Sequence, residues 1–547
     1  MDWLSFSPAV SERLPGPRKE MFKDRIRIMR NILEYLEETC RKVPDKEAFV
    51  CEDDRISFAR LRERAFSFGM QLRQYAQGAV NRPVCVIGER EIDALVCMLG
   101  CVYSGNFYVL VDASLPRARI ESMLESAGFL GAVSCSGKSY TVPGLAFSIV
   151  YDRTGTLAAD PSAAGLSQAG RLEAEAAMEK KIREIIDGTC SFDPLYGVFT
   201  SGTTGVPKLV VKSHASMISF LETFTGMFGL RESDILGNQF PFYFDASTKD
   251  LFSCLKCGLT VHIIPKKYFS FPQYLIHYLM DNRITVIIWV PSALSLVANG
   301  NGLEEIGVPD SVKKVFFVGE QMPVRQLNYW KKHMPETEFI NLYGATENAG
   351  NFLYYRYEEM LPDDRRLPTG VPFPNTKVFL LAEDGSQVTE TGVEGEICVV
   401  SDTLSLGYYG NPDMTDKVFV QNPLVSYREI MYRTGDLAVL DEEGLFVWAS
   451  RRDFQIKHMG YRIELSEIEI ILGAVPGIKE CCCVYDSEKK KIILYYTADR
   501  DMKKEIGKQV REKLPKYMFP SRYSRLDVMP HNANGKIDRK ALAQSLS

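Results

Sequence analysis

Apolar runs of strand length alternate with helical segments through the first two thirds of the chain. Residues 83–88 form such a run, residues 92–103 have helical periodicity, and residues 107–111 form a second apolar run. Strands joined by one short helical crossover lie parallel in the same sheet. Similar apolar runs recur at residues 235–240, 260–264, 285–290 and 314–318. The pattern predicts an α/β fold for the main body.

The pattern changes after about residue 370. Short alternating strands with Gly and Pro between them, such as residues 395–400, predict a small β-rich subdomain over about residues 371–452. The last hundred residues hold two helical segments and two strands, enough for a separate α+β domain over residues 453–547. Because 547 residues are too many for one compact core, we expect an N-terminal core over residues 1–452 followed by this smaller domain.

Composition argues against several classes of partner. A net charge of −5 offers no basic surface to nucleic acid. No apolar run of about 18 residues could cross a membrane, and the N-terminus lacks the apolar segment of a secretion signal. The thirteen cysteines follow no metal-binding spacing, and residues 481–483 are consecutive cysteines inside a predicted strand. We therefore expect reduced, mostly buried thiols and a cytoplasmic monomer without nucleic-acid or membrane partners.

Residues 199–208 form a loop suited to phosphate. Gly202 and Gly205 expose backbone N–H groups, and Lys208 adds a cation directly after the turn. Four hydroxyls add further donors, from Thr200, Ser201, Thr203 and Thr204. The loop is not a Walker motif, because no Gly-Lys-[Ser/Thr] closes it. A solvated turn rich in Ser, Thr and Gly is the alternative that this loop alone leaves open.

Five further segments join this loop in an order that resembles the adenylate-forming superfamily of acyl-CoA synthetases, luciferases and amino-acid adenylation domains. They are residues 243–247, 341–347, 432–437, 451–464 and 534–539. One segment alone is weak support, whereas the six together span nearly the whole chain. The resemblance implies formation of an acyl adenylate from ATP, with Mg²⁺ and lysine neutralising the carboxylate and the phosphates. It also implies a large N-terminal domain and a small mobile C-terminal domain.

The resemblance assigns a nucleotide site. Thr203, Thr204 and Lys208 would hold the β- and γ-phosphates, while Glu347 would hold Mg²⁺ and Thr346 would contact the α-phosphate. Other nucleotide contacts fall to the loop residues Thr200, Ser201, Gly202 and Gly205, to Gly344, to Asn341, Tyr343 and Trp448 around the adenine, and to Asp436 and Arg451 at the ribose. A carboxylate offers two acceptors to the two ribose hydroxyls. For Trp448, a position in the core stays open.

The resemblance also assigns roles to four positions in the C-terminal part. One would act in catalysis, and three would serve a second conformation in which the thioester forms. Lys536 resembles the lysine that bridges the substrate carboxylate and the α-phosphate during adenylation. Asp453 corresponds to the hinge at which the small domain rotates. After rotation, Gly460 would lie along the pantetheine channel with Lys457 nearby.

Asp245 discriminates between classes of acid. In amino-acid-activating relatives, the corresponding aspartate pairs with the substrate α-ammonium, which requires a buried carboxylate with no other cation. The alternative is a helix-cap aspartate. We therefore expect an amino acid substrate. The rest of the pocket would be Ala246, Lys249, Ile288, Phe316, Val318, Leu342, Gly350 and Asn351.

The side chain of that amino acid is less certain from the sequence. The apolar lining predicts a small or narrow side chain, and the resemblance to D-alanine:carrier-protein ligases agrees with alanine. Lys249 instead favours an acidic, Glu- or Asp-like side chain, unless it pairs with Asp250 or reaches solvent.

The expected activity follows from these assignments. Because no carrier segment follows Lys540, we expect transfer of the activated amino acid to the phosphopantetheine thiol of a separate carrier protein. An acyl-CoA synthetase and a non-catalytic nucleotide-binding protein are the alternatives. His214, after the phosphate loop, matches a family Ser-His pair, but we expect a packed histidine.

Overall fold

The structure is a computed structural model that describes residues 29–151, 168–201, 207–451, 455–531 and 537–545. The helices are α1 (Leu33–Lys42), α2 (Phe58–Tyr75), α3 (Ile92–Tyr103), α4 (Arg117–Ser126), α5 (Gln168–Asp187), α6 (His214–Phe228), α7 (Thr248–Cys257), α8 (Pro272–Asp281), α9 (Pro291–Asn299), α10 (Gly302–Glu305), α11 (Val324–His333), α12 (Pro412–Val418), α13 (Leu465–Gly473), α14 (Lys503–Lys513) and α15 (Arg539–Gln544). Short 3₁₀ turns cover Asp245–Ser247, Lys266–Ser270 and Lys516–Met518.

The strands group into three large sheets, a hairpin and a small sheet. They are β1 (Glu47–Cys51), β2 (Asp54–Ser57), β3 (Pro83–Gly88), β4 (Phe107–Asp112), β5 (Gly131–Ser134), β6 (Phe147–Val150), β7 (Pro194–Thr200), β8 (Lys208–Ser213), β9 (Ile235–Asn238), β10 (Thr260–Ile263), β11 (Val286–Trp289), β12 (Lys314–Val318), β13 (Glu338–Tyr343), β14 (Leu353–Arg356), β15 (Val371–Pro372), β16 (Thr376–Leu381), β17 (Gln387–Val388), β18 (Gly395–Ser401), β19 (Gly407–Tyr408), β20 (Phe419–Gln421), β21 (Ile430–Leu440), β22 (Phe446–Arg451), β23 (Gln455–His458), β24 (Tyr461–Glu464), β25 (Ile478–Asp486), β26 (Lys491–Ala498) and β27 (Arg522–Leu526).

The first sheet has the order β19-β8-β7-β4-β3-β5-β6 and is parallel from β7 to β6. Strand β3 is buried along its whole length, as expected for a parallel strand covered on both faces. Helix α2 begins where the Ser57 side chain accepts the Arg60 N–H. The predicted unit of β3, α3 and β4 is confirmed, and α/β is the class of the main body.

The second sheet has the order β15-β14-β13-β12-β11-β9-β10-β1-β2 and is parallel from β13 to β1. Its central strands end at residues that the sequence places in the site. The third sheet is antiparallel, with β17-β16-β18-β21-β20 in order and β22 beside β21. The α/β core and the β-rich segment are therefore both present, while their exact boundaries stay a prediction.

The C-terminal elements are the hairpin β23–β24 and the sheet β25-β26-β27 with helices α13 and α14. In β25 the consecutive cysteines alternate between two apolar clusters: Cys481 and Cys483 pack on one side, Cys482 on the other. Among the described residues, the first helix is α1, which begins at Leu33. Within the described residues, no helix combines the length and the apolar character needed to cross a bilayer.

Candidate active site

One cavity is lined by residues of both α/β sheets, the third sheet and the C-terminal elements. Most predicted site residues that the structure describes lie on its wall: Thr200, Ser201, Asp245, Ala246, Lys249, Val318, Gly344, Thr346, Gly350, Asn351, Asp436 and Arg451. Lys457 and Gly460 line it as well. The fold thus brings five sequence segments, separated by up to 260 residues, to one place.

Asp436 lies at the centre of the part of the cavity where the nucleotide is expected, which we call the nucleotide end. Its side chain is 3% exposed, and its carboxylate accepts hydrogen bonds from the Tyr343 hydroxyl and from Arg451 Nη1, the latter at 2.7 Å. Asp436 and Arg451 are cross-strand partners in β21 and β22. Since each carboxylate oxygen has a second lone pair, Asp436 can also accept ribose hydroxyls.

Lys457 reaches from β23 to the aromatic face expected to hold adenine. Its Nζ lies 4.9 Å from the centroid of the Tyr343 ring, a cation–π distance. Burial lowers the pKa of the Lys457 ammonium, and the nearby Asp436 charge opposes that shift. The hairpin therefore takes part in the nucleotide end of the site.

Tyr343 and the further adenine candidates Asn341 and Trp448 are all absent from the cavity wall. Asn341 Nδ2 donates to the Pro368 carbonyl at 2.8 Å, which orients the amide. Trp448 packs against the apolar cluster that contains Tyr343, and its Nε1 has no hydrogen-bond partner within the described ranges. The core position left open for Trp448 is the one that the structure shows.

Glu347 is fully buried and is engaged on both carboxylate oxygens. Oε2 accepts from Arg462 Nη1 at 2.6 Å, and Oε1 accepts from the Tyr408 hydroxyl at 2.7 Å. Burial opposes ionisation, but the Arg462 charge and these hydrogen bonds outweigh it and hold the pKa of Glu347 at about 2. Glu347 is therefore an ionised carboxylate whose present partner is an arginine.

The donor set around Glu347 can still fit Mg²⁺. In phosphate-transferring sites Mg²⁺ takes one or two carboxylates and completes its shell with phosphate oxygens and water. A single ionised Glu347 meets that need once Arg462 releases it. In the part of the chain that the structure describes, there is no cluster of three His, Cys, Asp or Glu suited to a metal.

The hairpin β23–β24 is hydrogen-bonded to the phosphate loop and to the loop after β12. Ser201 Oγ donates to the Arg462 carbonyl and accepts the Glu464 N–H, both at 3.0 Å. The Gly460 N–H donates to Glu320 Oε1 at 2.8 Å. Gly460 has φ +81°, and an added Cβ would lie 2.7 Å from a side-chain carbon of Val290. Only glycine fits this close approach of the hairpin.

Asp245 opens the 3₁₀ turn ahead of α7, and its carboxylate has two partners. Oδ1 accepts the Tyr196 hydroxyl at 2.8 Å, and Oδ2 lies 3.7 Å from the fully buried Lys212 Nζ. Pairing of β7 with β8 sets Tyr196 opposite Lys212. The side chain does not cap a helix, which removes that alternative. The expectation of a carboxylate with no other cation is corrected, because Lys212 supplies one.

Lys249 is 2% exposed and lines the cavity. Among the residues described, its ammonium makes no hydrogen bond and no ion pair. Lys249 does not reach solvent and forms no ion pair with Asp250, although their charges interact. Asp250 Oδ2 accepts from Asn238 Nδ2 at 2.7 Å, and Asp250 Oδ1 has no hydrogen-bond partner among the described residues. Burial lowers the pKa of Lys249 and raises that of Asp250 to about 7.

Three predicted pocket residues, Ile288, Phe316 and Leu342, belong to the hydrophobic core and are absent from the cavity wall. Phe316 packs against Phe224 and Phe228, with ring centroids 5.4 and 5.0 Å away. These residues lie on central strands covered by helices, so they pack in the core and do not line the cavity.

Lys208 and His214 flank β8. Lys208 Nζ lies 5.6 Å from the centroid of the Tyr408 ring and lines a second cavity together with Arg451 and Arg462. His214 is 3% exposed, and its Nδ1 accepts the Ile32 N–H at 3.1 Å. Burial lowers the pKa of His214 to about 3, so it is the packed, neutral histidine that the sequence favoured.

Six predicted residues lie outside the described residues, namely Gly202, Thr203, Thr204, Gly205, Asp453 and Lys536. Sequence reasoning missed four residues of the site: Tyr196, Lys212, Tyr408 and Arg462. Lys212 carried a usable signal, because a lysine that shares a face with Val210 in a buried strand needs a partner.

Comparison with known proteins agrees with this arrangement. Residues 36–409 match the family described as AMP-binding enzyme, and residues 467–536 match its C-terminal domain. Tyrocidine synthase 1 of Brevibacillus parabrevis is 29% identical over 94% of the chain and 45% of its own length. A D-alanine--D-alanyl carrier protein ligase of Bacillus licheniformis is 29% identical over 94% of the chain and 99% of its own length.

The chain spans about half of the first of these curated relatives, and 8%, 9% and 14% of three further synthases. Among solved structures, the Vibrio cholerae adenylation domain AlmE in complex with glycyl-adenosine-5'-phosphate has a TM-score of 0.76 at 18% identity, covering 95% of this chain and 98% of its own. At that identity the likeness shows the fold.

Proposed function

Because the chain belongs to the AMP-binding enzyme family, we propose that it activates an amino acid with ATP and releases pyrophosphate. The aminoacyl group then passes to the phosphopantetheine thiol of a separate carrier protein. The observation that carries the proposal is the shared cavity, in which Asp436 and Thr346 line the same wall as Asp245 and Lys249. A nucleotide and an acid held there would be neighbours, as an acyl transfer to phosphate requires.

The relatives support the same chemistry. The ligase of Bacillus licheniformis, whose name gives D-alanine and a carrier protein, matches along 99% of its length. The synthase of Brevibacillus parabrevis matches along 45% of its length, so an adenylating unit can stand within a longer protein.

In the proposed reaction Asp436 and Arg451 hold the ribose, and Thr346 contacts the α-phosphate. Mg²⁺ on Glu347 would neutralise phosphate charge, and Lys536 would bridge the acid carboxylate and the α-phosphate. Arg462 now donates to the Glu347 carboxylate, so Mg²⁺ on Glu347 would require Arg462 to release it. Gly460 would border the path of the pantetheine thiol after adenylation, with Asp453 as the hinge.

A CoA synthetase is the second candidate, and one observation favours it. Lys212 already provides a cation 3.7 Å from Asp245, so an acid without an α-ammonium is compatible with this pocket. The two functions differ in the thiol that accepts the acyl group. A CoA synthetase releases an acyl-CoA, whereas the proposed enzyme loads a carrier protein.

The test is acid-dependent ATP–pyrophosphate exchange across the amino acids in both L- and D-forms, followed by transfer to CoA or to a phosphopantetheinylated carrier. Exchange with an amino acid and loading of a carrier support the proposal. Exchange only with acids that lack an amino group, or release of acyl-CoA without carrier loading, would select the second candidate. Lys536→Ala should abolish exchange and retain ATP binding, and parallel loss of both would contradict its assigned role.

A further inference from the structure

The hairpin β23–β24 is held in the site by side chains of two kinds. Ser201 bonds its backbone and Glu347 bonds its Arg462, and both are assigned to ATP phosphate or Mg²⁺ in the proposed reaction. Glu320 also bonds the hairpin, but it has no place among the proposed nucleotide or acid contacts. The described part of the cavity wall does not include Glu320. At this residue, the contact with the hairpin is separate from the contacts with the reactants.

The Glu320 carboxylate bridges the hairpin and helix α9. Its Oε1 accepts the Gly460 N–H at 2.8 Å, and its Oε2 accepts the Ser292 N–H at 3.1 Å. Ser292 lies in the first turn of α9, where backbone N–H groups have no partner inside the helix and favour an anion. Hydrogen bonds to an ionised carboxylate are about twice as strong as bonds between neutral groups. The carboxylate therefore ties the hairpin to a helix of the second sheet.

Backbone shape and charge favour the same contact. Gly319, which precedes Glu320, approaches the hairpin so closely that an added Cβ would lie 4.0 Å from Gly460 Cα. Burial lowers the pKa of His458 and of Lys457, and the charge of Glu320 is among those that oppose both shifts. The Glu320 carboxylate thus also attracts the basic groups of β23.

We infer that Glu320 is a positioning residue that holds the hairpin in the arrangement in which the acyl group passes to the thiol. The inference rests on the proposed two-step function. Because Mg²⁺ on Glu347 requires Arg462 to release it, adenylation uses an open hairpin and the docked hairpin serves the transfer. Glu320 stabilises the docked arrangement and touches neither ATP nor the acid. Its loss therefore shifts the equilibrium between the two arrangements without weakening ATP binding.

The size of the shift follows from the lost hydrogen bond. Removing the charged acceptor changes the docking equilibrium constant by about tenfold or more. If docked hairpins predominate, adenylation becomes faster; if open hairpins predominate, transfer becomes slower. In both cases the ratio of the transfer rate to the adenylation rate falls about tenfold. A residue that only caps α9 would lower the stability of the fold and leave this ratio unchanged.

Hydrogen–deuterium exchange with the full chain alone measures the docking. The amide of Glu464 is the reporter, because it is bonded to Ser201 rather than to Glu320. We expect its exchange to accelerate about tenfold in Glu320→Met, which has no acceptor, and less in Glu320→Gln, which keeps one. The matched control is Gln239→Met, since Gln239 Oε1 accepts the Val290 N–H at 3.0 Å at the start of the same helix. The control should lower the thermal midpoint and leave the reporter unchanged.

Single-turnover kinetics then time the two half-reactions separately. The acid is the one with the fastest pyrophosphate exchange, and free pantetheine is the acceptor thiol. We expect the ratio of transfer to adenylation to fall about tenfold in Glu320→Met and by less in Glu320→Gln, with the KM for ATP unchanged. Gln239→Met should keep the wild-type ratio.

The outcomes are separable. Unchanged exchange at Glu464, or equal losses of both half-reactions in Glu320→Met and Gln239→Met, would overturn the inference and leave the proposed function standing. Faster hairpin exchange with an unchanged ratio would overturn the assignment of the docked hairpin to transfer. No pyrophosphate exchange by the wild type with any acid would instead refute the proposed function. Glu320→Gln keeps the test decisive where Glu320→Met does not fold.

Discussion

Replacing Arg462 by methionine is the perturbation with the most specific expected result. Its guanidinium holds the Glu347 carboxylate, which is 1% exposed, and its backbone carbonyl accepts from Ser201. Arg462→Met removes the charge and keeps most of the side-chain volume. Breaking a buried ion pair on one side costs about 3 to 5 kcal/mol, because the remaining charge is left without its partner.

Losing this ion pair destabilises the docking of the hairpin β23–β24 rather than the whole fold. If the hairpin separates from the site, water can reach Glu347, so opening relieves the penalty. At about 1.4 kcal/mol for each factor of ten, a penalty of about 3 kcal/mol raises the open population roughly 100-fold. The amides of Gly460 and Glu464, bonded to Glu320 and Ser201, report that opening directly.

Hydrogen–deuterium exchange over residues 455–464 measures how often the hairpin β23–β24 opens. We expect exchange to accelerate about 100-fold in Arg462→Met. The control is Arg60→Met, which breaks an Arg–Glu pair of the same 2.6 Å length whose members are each 51% exposed. Such exposed pairs contribute about 0 to 1 kcal/mol. Unchanged hairpin exchange in Arg462→Met, or an equal increase in Arg60→Met, would refute the reasoning.

Three further predictions test other parts of the molecule. Asp436→Asn should weaken ATP binding at least tenfold by calorimetry, because a charged acceptor for the ribose is lost, about 1.5 to 3 kcal/mol; unchanged affinity would remove Asp436 from the nucleotide site. The folded state keeps His214 neutral, with a pKa of about 3 against an ordinary 6.5, so protonation of the unfolded chain lowers stability as the pH falls below 6.5. Urea unfolding at pH 8 and pH 5 should show a loss of about 2 kcal/mol from this group, absent in His214→Gln, and equal slopes for both proteins would contradict it. Gly350→Ala places a Cβ 2.2 Å from the Phe220 ring at φ +69°, so its thermal midpoint should drop, by more than about 2 kcal/mol in stability; a midpoint like that of the wild type would contradict this packing.

The local parts of the fold were predictable because their signals are local. The strand–helix–strand unit of β3, α3 and β4 follows from apolar periodicity, and α2 begins at a serine cap. The run of three cysteines in β25 divides between two faces, as a strand requires. By contrast, strand β6 was not predicted from the sequence. Only pairing with β5 explains β6, and pairing is not visible in composition.

The same distinction between local signals and long-range pairing holds for the site residues. Motif order predicted the residues that meet in one cavity, with Asp245 in a 3₁₀ turn, Asp436 within β21 and Arg451 at the end of β22. The partners of the charged groups were not predictable in this way. Arg462 and Glu347 are 115 residues apart, and their pairing depends on how the C-terminal elements dock.

The contacts of the hairpin β23–β24 also restrict the order of events. Glu347 is bound by Arg462, and Ser201 by the backbone of β24, so two groups assigned to Mg²⁺ and phosphate are engaged by the chain itself. While Glu347 Oε2 accepts the hydrogen bond from Arg462, that oxygen is occupied and is not open to a metal ion. If Glu347 holds Mg²⁺ and Ser201 contacts phosphate, as we propose, both sets of contacts with β24 must open before adenylation.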